Sequence, residues 1–191
     1  MLKEYLKASK TWVEDYLKEV LNSPNTEYEK LYESMRYSLL MGGKRIRPIL
    51  TKAVMESFGV SPEPYKEIVC AIELIHTYSL IHDDLPAMDN DDYRRGNLTN
   101  HKVYGDGLAV LAGDGLLTYA FQLICQNKAA TPEQHLKCVL ALAKAAGPEG
   151  MVGGVRPSIY CRKDVTFHCR NCKCSIAVKQ GPYSWRLSKS V

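Results

Sequence analysis

Apolar positions between the N-terminus and residue 154 fall at helical intervals, and neither a strand-rich stretch nor an internal repeat breaks the pattern. Residues 1–21, MLKEYLKASKTWVEDYLKEVL, read as an amphipathic helix of mixed charge, neither a signal peptide nor a membrane span. Further helices are expected over 26–41, 44–59, 106–127 and 131–146, with Gly147-Pro148 as a break. Another covers 61–84, where Ile68, Ala71, Ile72, Ile75 and Leu80 recur near helical spacing. Ser61 is its candidate N-cap, glutamates fill its first turns, and Pro86 stops it just past an acid pair.

The polar positions carry the chemistry. Residues 83–96, DDLPAMDNDDYRRG, place five carboxylates and two arginines in fourteen residues. Carboxylates this close repel one another and call for a cation. Mg²⁺ is usually held by one or two carboxylates together with substrate phosphates, and arginines are shaped for phosphate oxygens. The segment therefore has the composition of a Mg²⁺–diphosphate site; the plainer alternative is a charged surface loop that pairs with itself. An EF-hand is excluded, because Tyr93 and Arg95 would fall on ligand positions of a loop beginning at Asp91. His76 lies seven residues before Asp83 and shares its helix face about two turns away. A histidine on such a face is either core packing or a ligand, and both readings stand.

A second basic cluster, Gly42-Gly43-Lys44-Arg45-Ile46-Arg47-Pro48, opens the 44–59 helix. Its glycines permit a tight turn or a close approach to a ligand. Lys44 and Arg47 stand three apart, on one side of a helix start suited to anions. The spacing does not match a Walker A loop.

These segments, with Glu73-Leu74-Ile75-His76-Thr77-Tyr78-Ser79-Leu80-Ile81-His82-Asp83-Asp84, Gly105-Asp106-Gly107-Leu108-Ala109-Val110-Leu111-Ala112-Gly113-Asp114 and Gly150-Met151-Val152-Gly153-Gly154, resemble the short-chain trans-polyprenyl diphosphate synthase family. The resemblance is nearest to the bacterial farnesyl diphosphate synthases (geranyltranstransferases) and covers residues 1–154. It implies an all-α, isoprenoid-synthase-type helical bundle, here C-terminally truncated, with an irregular tail. It also implies a cytoplasmic, homodimeric transferase that condenses isopentenyl diphosphate with the allylic dimethylallyl and geranyl diphosphates. Lys44, Arg47, His76 and Arg95 would then bind the diphosphate of isopentenyl diphosphate. Asp83, Asp84 and Asp89 would hold Mg²⁺ on the allylic diphosphate, which Arg94 would contact directly. Arg45 ranks below its neighbours as a direct ligand. Tyr78, five before the aspartate pair, and Ser79 would floor the cavity and favour a C15 product over C20. Such chemistry needs no nucleophilic thiol, so Cys70, Cys125 and Cys138 are read as buried.

From Val155 the text changes. The tail, 155–191, has eight Lys and Arg against one Asp, whereas 1–154 has 17 against 20. The basic balance therefore belongs to the tail and says nothing of a nucleic-acid face on the body, and no nucleic-acid partner is expected. Four of the seven cysteines lie there: Cys161, Cys169, Cys172 and Cys174. With His168 they suggest a zinc knuckle, but the single residue between Cys172 and Cys174 fits structural zinc poorly. A frame-shifted or prematurely ended reading fits better, since the family would continue with further helices and a second aspartate-rich site. A catalytically inactive fragment that binds diphosphates or dimerises is the alternative function.

Overall fold

The computed structural model describes residues 2–22 and 25–154, together with the strands Thr166–His168 and Ser175–Ala177. The chain divides into two compact units, Met1–Leu142 and Ala143–Val191. The first unit is helical: α1 (Leu2–Val20), α2 (Glu29–Leu40), α3 (Ile46–Ser57), α4 (Lys66–Asp83), a hairpin of β1 (Tyr93–Arg94) and β2 (Asn97–Leu98), α5 (Asn100–Tyr104), α6 (Asp106–Gln126) and most of α7 (Pro132–Ala146). The second unit holds the end of α7, the short α8 (Met151–Gly154) and an antiparallel ribbon of β3 (Thr166–His168) and β4 (Ser175–Ala177). The rest of the tail, expected to be irregular, lies outside the described residues. The zinc reading falls on side chains outside the described residues.

The core forms around α4, where Val69, Cys70, Ala71, Leu74, Ile75, Tyr78 and Ile81 are buried. Against it packs α6, whose contact face is built from small residues, Ala109, Ala112, Gly113 and Ala120, with Leu116 and Leu123. Small side chains let the two axes approach closely. A Cβ on Gly113 would stand 2.1 Å from Nε2 of His82, which lies 3.1 Å from the Val110 carbonyl oxygen. By length and hydropathy α6 could cross a membrane; its buried face against α4 accounts for the same composition.

α1 contributes Val13 and Leu17 to the core. Its outer face is pinned by Tyr5 donating to Glu56 (2.6 Å), Trp12 donating to Glu63 (2.6 Å), and Lys52 over both rings. Fully burying such aliphatic side chains contributes about 1.5–3 kcal/mol each, well above these exposed polar contacts.

Helix ends follow local chemistry. Ser61 Oγ accepts from Glu63 N (3.4 Å) at a 3₁₀ turn, Glu63–Tyr65, and does not cap α4, whose regular helix begins at Lys66. α3 starts at Ile46 because Arg45 adopts a left-handed φ of 52°. Thr131 and Gln134 cap α7 reciprocally (2.8 and 3.3 Å), and Pro132 takes the first helical position. Cys70 is buried, and burial pushes its thiol far up. Cys138 is half-buried and Cys125 exposed, so the expectation of three buried thiols holds only for Cys70. Cys125 lies in the last turn of α6.

Candidate active site

Two clusters lie along α4, with His76 in one and Asp83 in the other. Seven residues of helix separate them by about 10 Å.

The first cluster is built by the loop before α3. Gly42 and Gly43 take φ values of 90° and 143°, and Arg45 follows at 52°, a turn that folds the loop across α4. A Cβ on Gly43 would meet Arg95 Nη1 at 2.7 Å, so the missing side chain lets that guanidinium lie against the loop. Arg95 donates to the Gly42 carbonyl oxygen. It is delivered there by the hairpin, in which Tyr93 faces Leu98 and Arg94 faces Asn97. Arg95 (φ 53°) and Gly96 (φ 83°) form its two-residue turn, both left-handed as a type I′ turn requires.

The result is a cavity of about 410 Å³ lined by Gly43, Lys44, Arg45, Ile46, Arg47, Glu73, His76 and Arg95. Four of these are cations and one is a carboxylate. Lys44, Arg47, His76 and Arg95, scattered over 52 residues of sequence, are thus brought to one space. Burial pulls His76 below its ordinary pKa and the Arg47 charge adds to this, while Glu73 acts the other way. The imidazole is therefore neutral near pH 7 and can donate one N–H. Arg95 is drawn down by burial and then by Arg45. Burial leads in both shifts, and neighbouring cations add to each, Arg47 at His76 and Arg45 at Arg95; four cations around one space are what an anion site needs.

The second cluster caps the C-terminal end of α4. The Asp83 carbonyl accepts from Asp89 N (2.8 Å), and Asn90 turns left-handed at φ 56° to lead into the hairpin. Burial raises the Asp83 carboxyl above the usual carboxylate range, and the Asp89 charge raises it further, with Arg94 opposing. Asp84 is different. Its buried carboxylate accepts Arg94 Nε at 3.0 and 2.8 Å and Arg94 Nη2 at 2.5 Å. Asp91 lies 3.9 Å from the same guanidinium.

The acid triad expected from sequence is therefore not preformed. Among the described residues no three His, Cys, Asp or Glu side chains are gathered to hold a metal, because Asp84 faces the arginine fork instead. Asp83 and Asp89 remain as two mutually repelling oxygen donors, a charge and ligand type that fit Mg²⁺. Arg94, expected on a diphosphate, is on Asp84. Tyr78 is buried with its ring edge-on to His82 (5.6 Å), and Ser79 donates to the His76 carbonyl (2.9 Å).

Residues 28–148 match the Polyprenyl synthetase family. The chain belongs to that family. It is 59% identical over 127 residues to the farnesyl diphosphate synthase of Geobacillus stearothermophilus, covering 65% of this chain and 43% of that protein. With the chloroplastic geranylgeranyl pyrophosphate synthase of Capsicum annuum it shares 54% over 132 residues, 69% of this chain and 36% of the relative. An FPP/GFPP synthase from Zymomonas mobilis, solved in its apo form, superposes with a TM-score of 0.82 at 41% identity, covering 87% of this chain and 60% of that one. This polyprenyl synthetase chain thus spans less than half the length of these curated relatives.

Two features of the site were not read from sequence. One is the buried Arg45–Glu73 ion pair (3.0 Å). The other is the hairpin, whose two-residue strands are too short to leave a periodic signal, although Arg-Arg-Gly-Asn marks its turn.

Proposed function

We propose that this chain carries the diphosphate sites of a Mg²⁺-dependent prenyltransferase that joins isopentenyl diphosphate to allylic diphosphates, with farnesyl diphosphate as product. The observation that supports it most is the cationic cavity of about 410 Å³ in which Lys44, Arg47, His76 and Arg95 converge, two turns along the same face of α4 from Asp83. Lys44, Arg47 and Arg95 neutralise the diphosphate of isopentenyl diphosphate, and neutral His76 donates an N–H to it. Asp83, two turns along α4 from His76, and Asp89 would hold Mg²⁺, and Asp84 would be available to it once Arg94 engaged the allylic diphosphate instead. When bound, Mg²⁺ would supply charge stabilisation to the departing diphosphate.

In the reaction the allylic C–O bond breaks and pyrophosphate leaves with its electrons. The isopentenyl double bond attacks the resulting cation, and a proton is lost to restore a double bond. Arg94 stabilises the leaving group, and the apolar wall of α4 keeps water from the cation. Tyr78 and Ser79, one turn below the acids, limit product length to C15.

A homodimer formed through the exposed apolar residues Val110, Leu111, Leu136 and Leu140 of α6 and α7, and a cytoplasmic location, belong to the same proposal. A second reading, diphosphate binding without turnover, is favoured by the engagement of Asp84 with Arg94. Incorporation of labelled isopentenyl diphosphate with dimethylallyl diphosphate and Mg²⁺ separates them. Turnover lost in Asp83→Ala supports the transferase; binding with no turnover in the unaltered chain supports the second.

A further inference from the structure

Arg45 stands between Lys44 and Arg47 and lines the same cavity, yet it is buried where they are exposed. It is 3% exposed, and Glu73 on α4 is 2% exposed. Its Nη1 donates to Glu73 Oε1 (3.0 Å) and its Nη2 to the Leu39 carbonyl of α2 (2.8 Å). Nε lies 3.6 Å from Glu14 Oε1 on α1 and has no hydrogen-bond partner. Its own carbonyl accepts from Ile49 N (3.2 Å) and so starts α3. A single side chain thus ties α1, α2 and α4 to the first turn of α3. Arg45 also holds a left-handed φ of 52°, which a residue with a Cβ disfavours and which three-sided anchoring can maintain.

A buried ion pair is a weak device for stability, because its desolvation offsets most of the attraction and an apolar pair of similar size can serve as well. Its effect here is geometric. We infer that Arg45 and Glu73 are a positioning pair: they lock the glycine loop onto α4 so that Lys44 and Arg47 line the cavity, and neither binds the diphosphate itself. This rests on the diphosphate reading of the cavity. Glu73 lies one turn before His76, so the same carboxylate that fixes Arg45 also faces the imidazole and Arg95.

The inference makes a prediction of opposite sign to simple electrostatics. Glu73 is the carboxylate among the cavity-lining residues; were it only a counter-charge, removing it would tighten anion binding. As a positioning residue, its loss weakens binding. The test is calorimetric titration of inorganic pyrophosphate, without Mg²⁺ and at fixed ionic strength, into the chain and into Lys44→Ala, Glu73→Gln, Arg45→Lys and the double variant Arg45→Met/Glu73→Leu. Unfolding temperatures are recorded so that each titration is run on folded protein.

Arg45→Lys keeps the charge but not the fork, and the double variant leaves the cavity's net charge unchanged. The expected result is affinity about tenfold lower for Glu73→Gln, Arg45→Lys and the double variant, including where the unfolding temperature is retained. Affinity equal to or above the unaltered chain in Glu73→Gln or in the folded double variant overturns the positioning role while leaving the cavity reading intact. No pyrophosphate binding by the unaltered chain, or none of it sensitive to Lys44→Ala, overturns the cavity reading and this inference with it.

Discussion

Gly43→Ala and Gly42→Ala form a matched pair of perturbations one residue apart. Both glycines occupy φ values that side chains rarely adopt, 143° and 90°. Each substitution is therefore expected to cost about 1–3 kcal/mol of stability from backbone strain. Their surroundings differ. A methyl at Gly42 meets nothing within 4 Å, whereas one at Gly43 would lie 2.7 Å from Arg95 Nη1 and 3.0 Å from its Cζ. Arg95 is flexible at that end, so the collision is relieved by moving the guanidinium away, at little cost in packing. That movement removes one cation from the cavity. A charge-assisted hydrogen bond contributes about 1.5–3 kcal/mol, so pyrophosphate affinity should fall about tenfold or more in Gly43→Ala. Gly42→Ala should bind within about threefold of the unaltered chain, since its cations stay in place. Chemical unfolding gives the first quantity and calorimetric titration the second. Equal losses of affinity in both variants would refute the reasoning, because the backbone would then be responsible and not Arg95.

Other outcomes follow from neighbouring contacts. His76 has a folded pKa below its unfolded value, so its neutral form contributes stability that is complete above about pH 6.5 and is lost as pH falls through the folded pKa. His76→Gln should flatten that part of the curve of unfolding free energy against pH, and an unchanged slope would contradict the assignment. Gly113→Ala places a Cβ 2.1 Å from His82 Nε2 at the α4–α6 contact and should destabilise by about 1–3 kcal/mol in thermal unfolding. An unaltered transition would mean that His82 moves aside freely. Tyr78→Ala, in a catalytically active chain, should lengthen the product beyond C15 by product chromatography, and an unchanged product would assign Tyr78 to packing alone.

The helices were legible because burial imposes the period: α1, α6 and α7 fall within a residue or two of their expected bounds. α4 was legible for the same reason, although its start is shifted by the 3₁₀ turn that Pro62 and Pro64 favour. That Lys44 and Arg47 lie on one side of a helix start was legible from their spacing; that His76 joins them in one cavity shows only in the fold. Arg45 was legible only as a charge; its partner Glu73 is 28 residues away, and no local pattern announces the pairing. The same holds for Asp84. Sequence shows an acid pair, whereas only the hairpin register shows that Arg94 lands on one member and leaves the other facing Asp89. The buried Asn100, which donates to Ser34 O and Ser38 Oγ and accepts from Ser34 Oγ, likewise joins α5 to α2 across more than 60 residues.

The most direct test of the central claim is a crystal structure of the chain grown with isopentenyl diphosphate. The diphosphate is predicted in the cavity between the glycine loop and α4, in contact with Lys44, Arg47, His76 and Arg95. Arg45 should remain on Glu73. A diphosphate bound elsewhere, or this cavity left without one at saturating ligand, would contradict it.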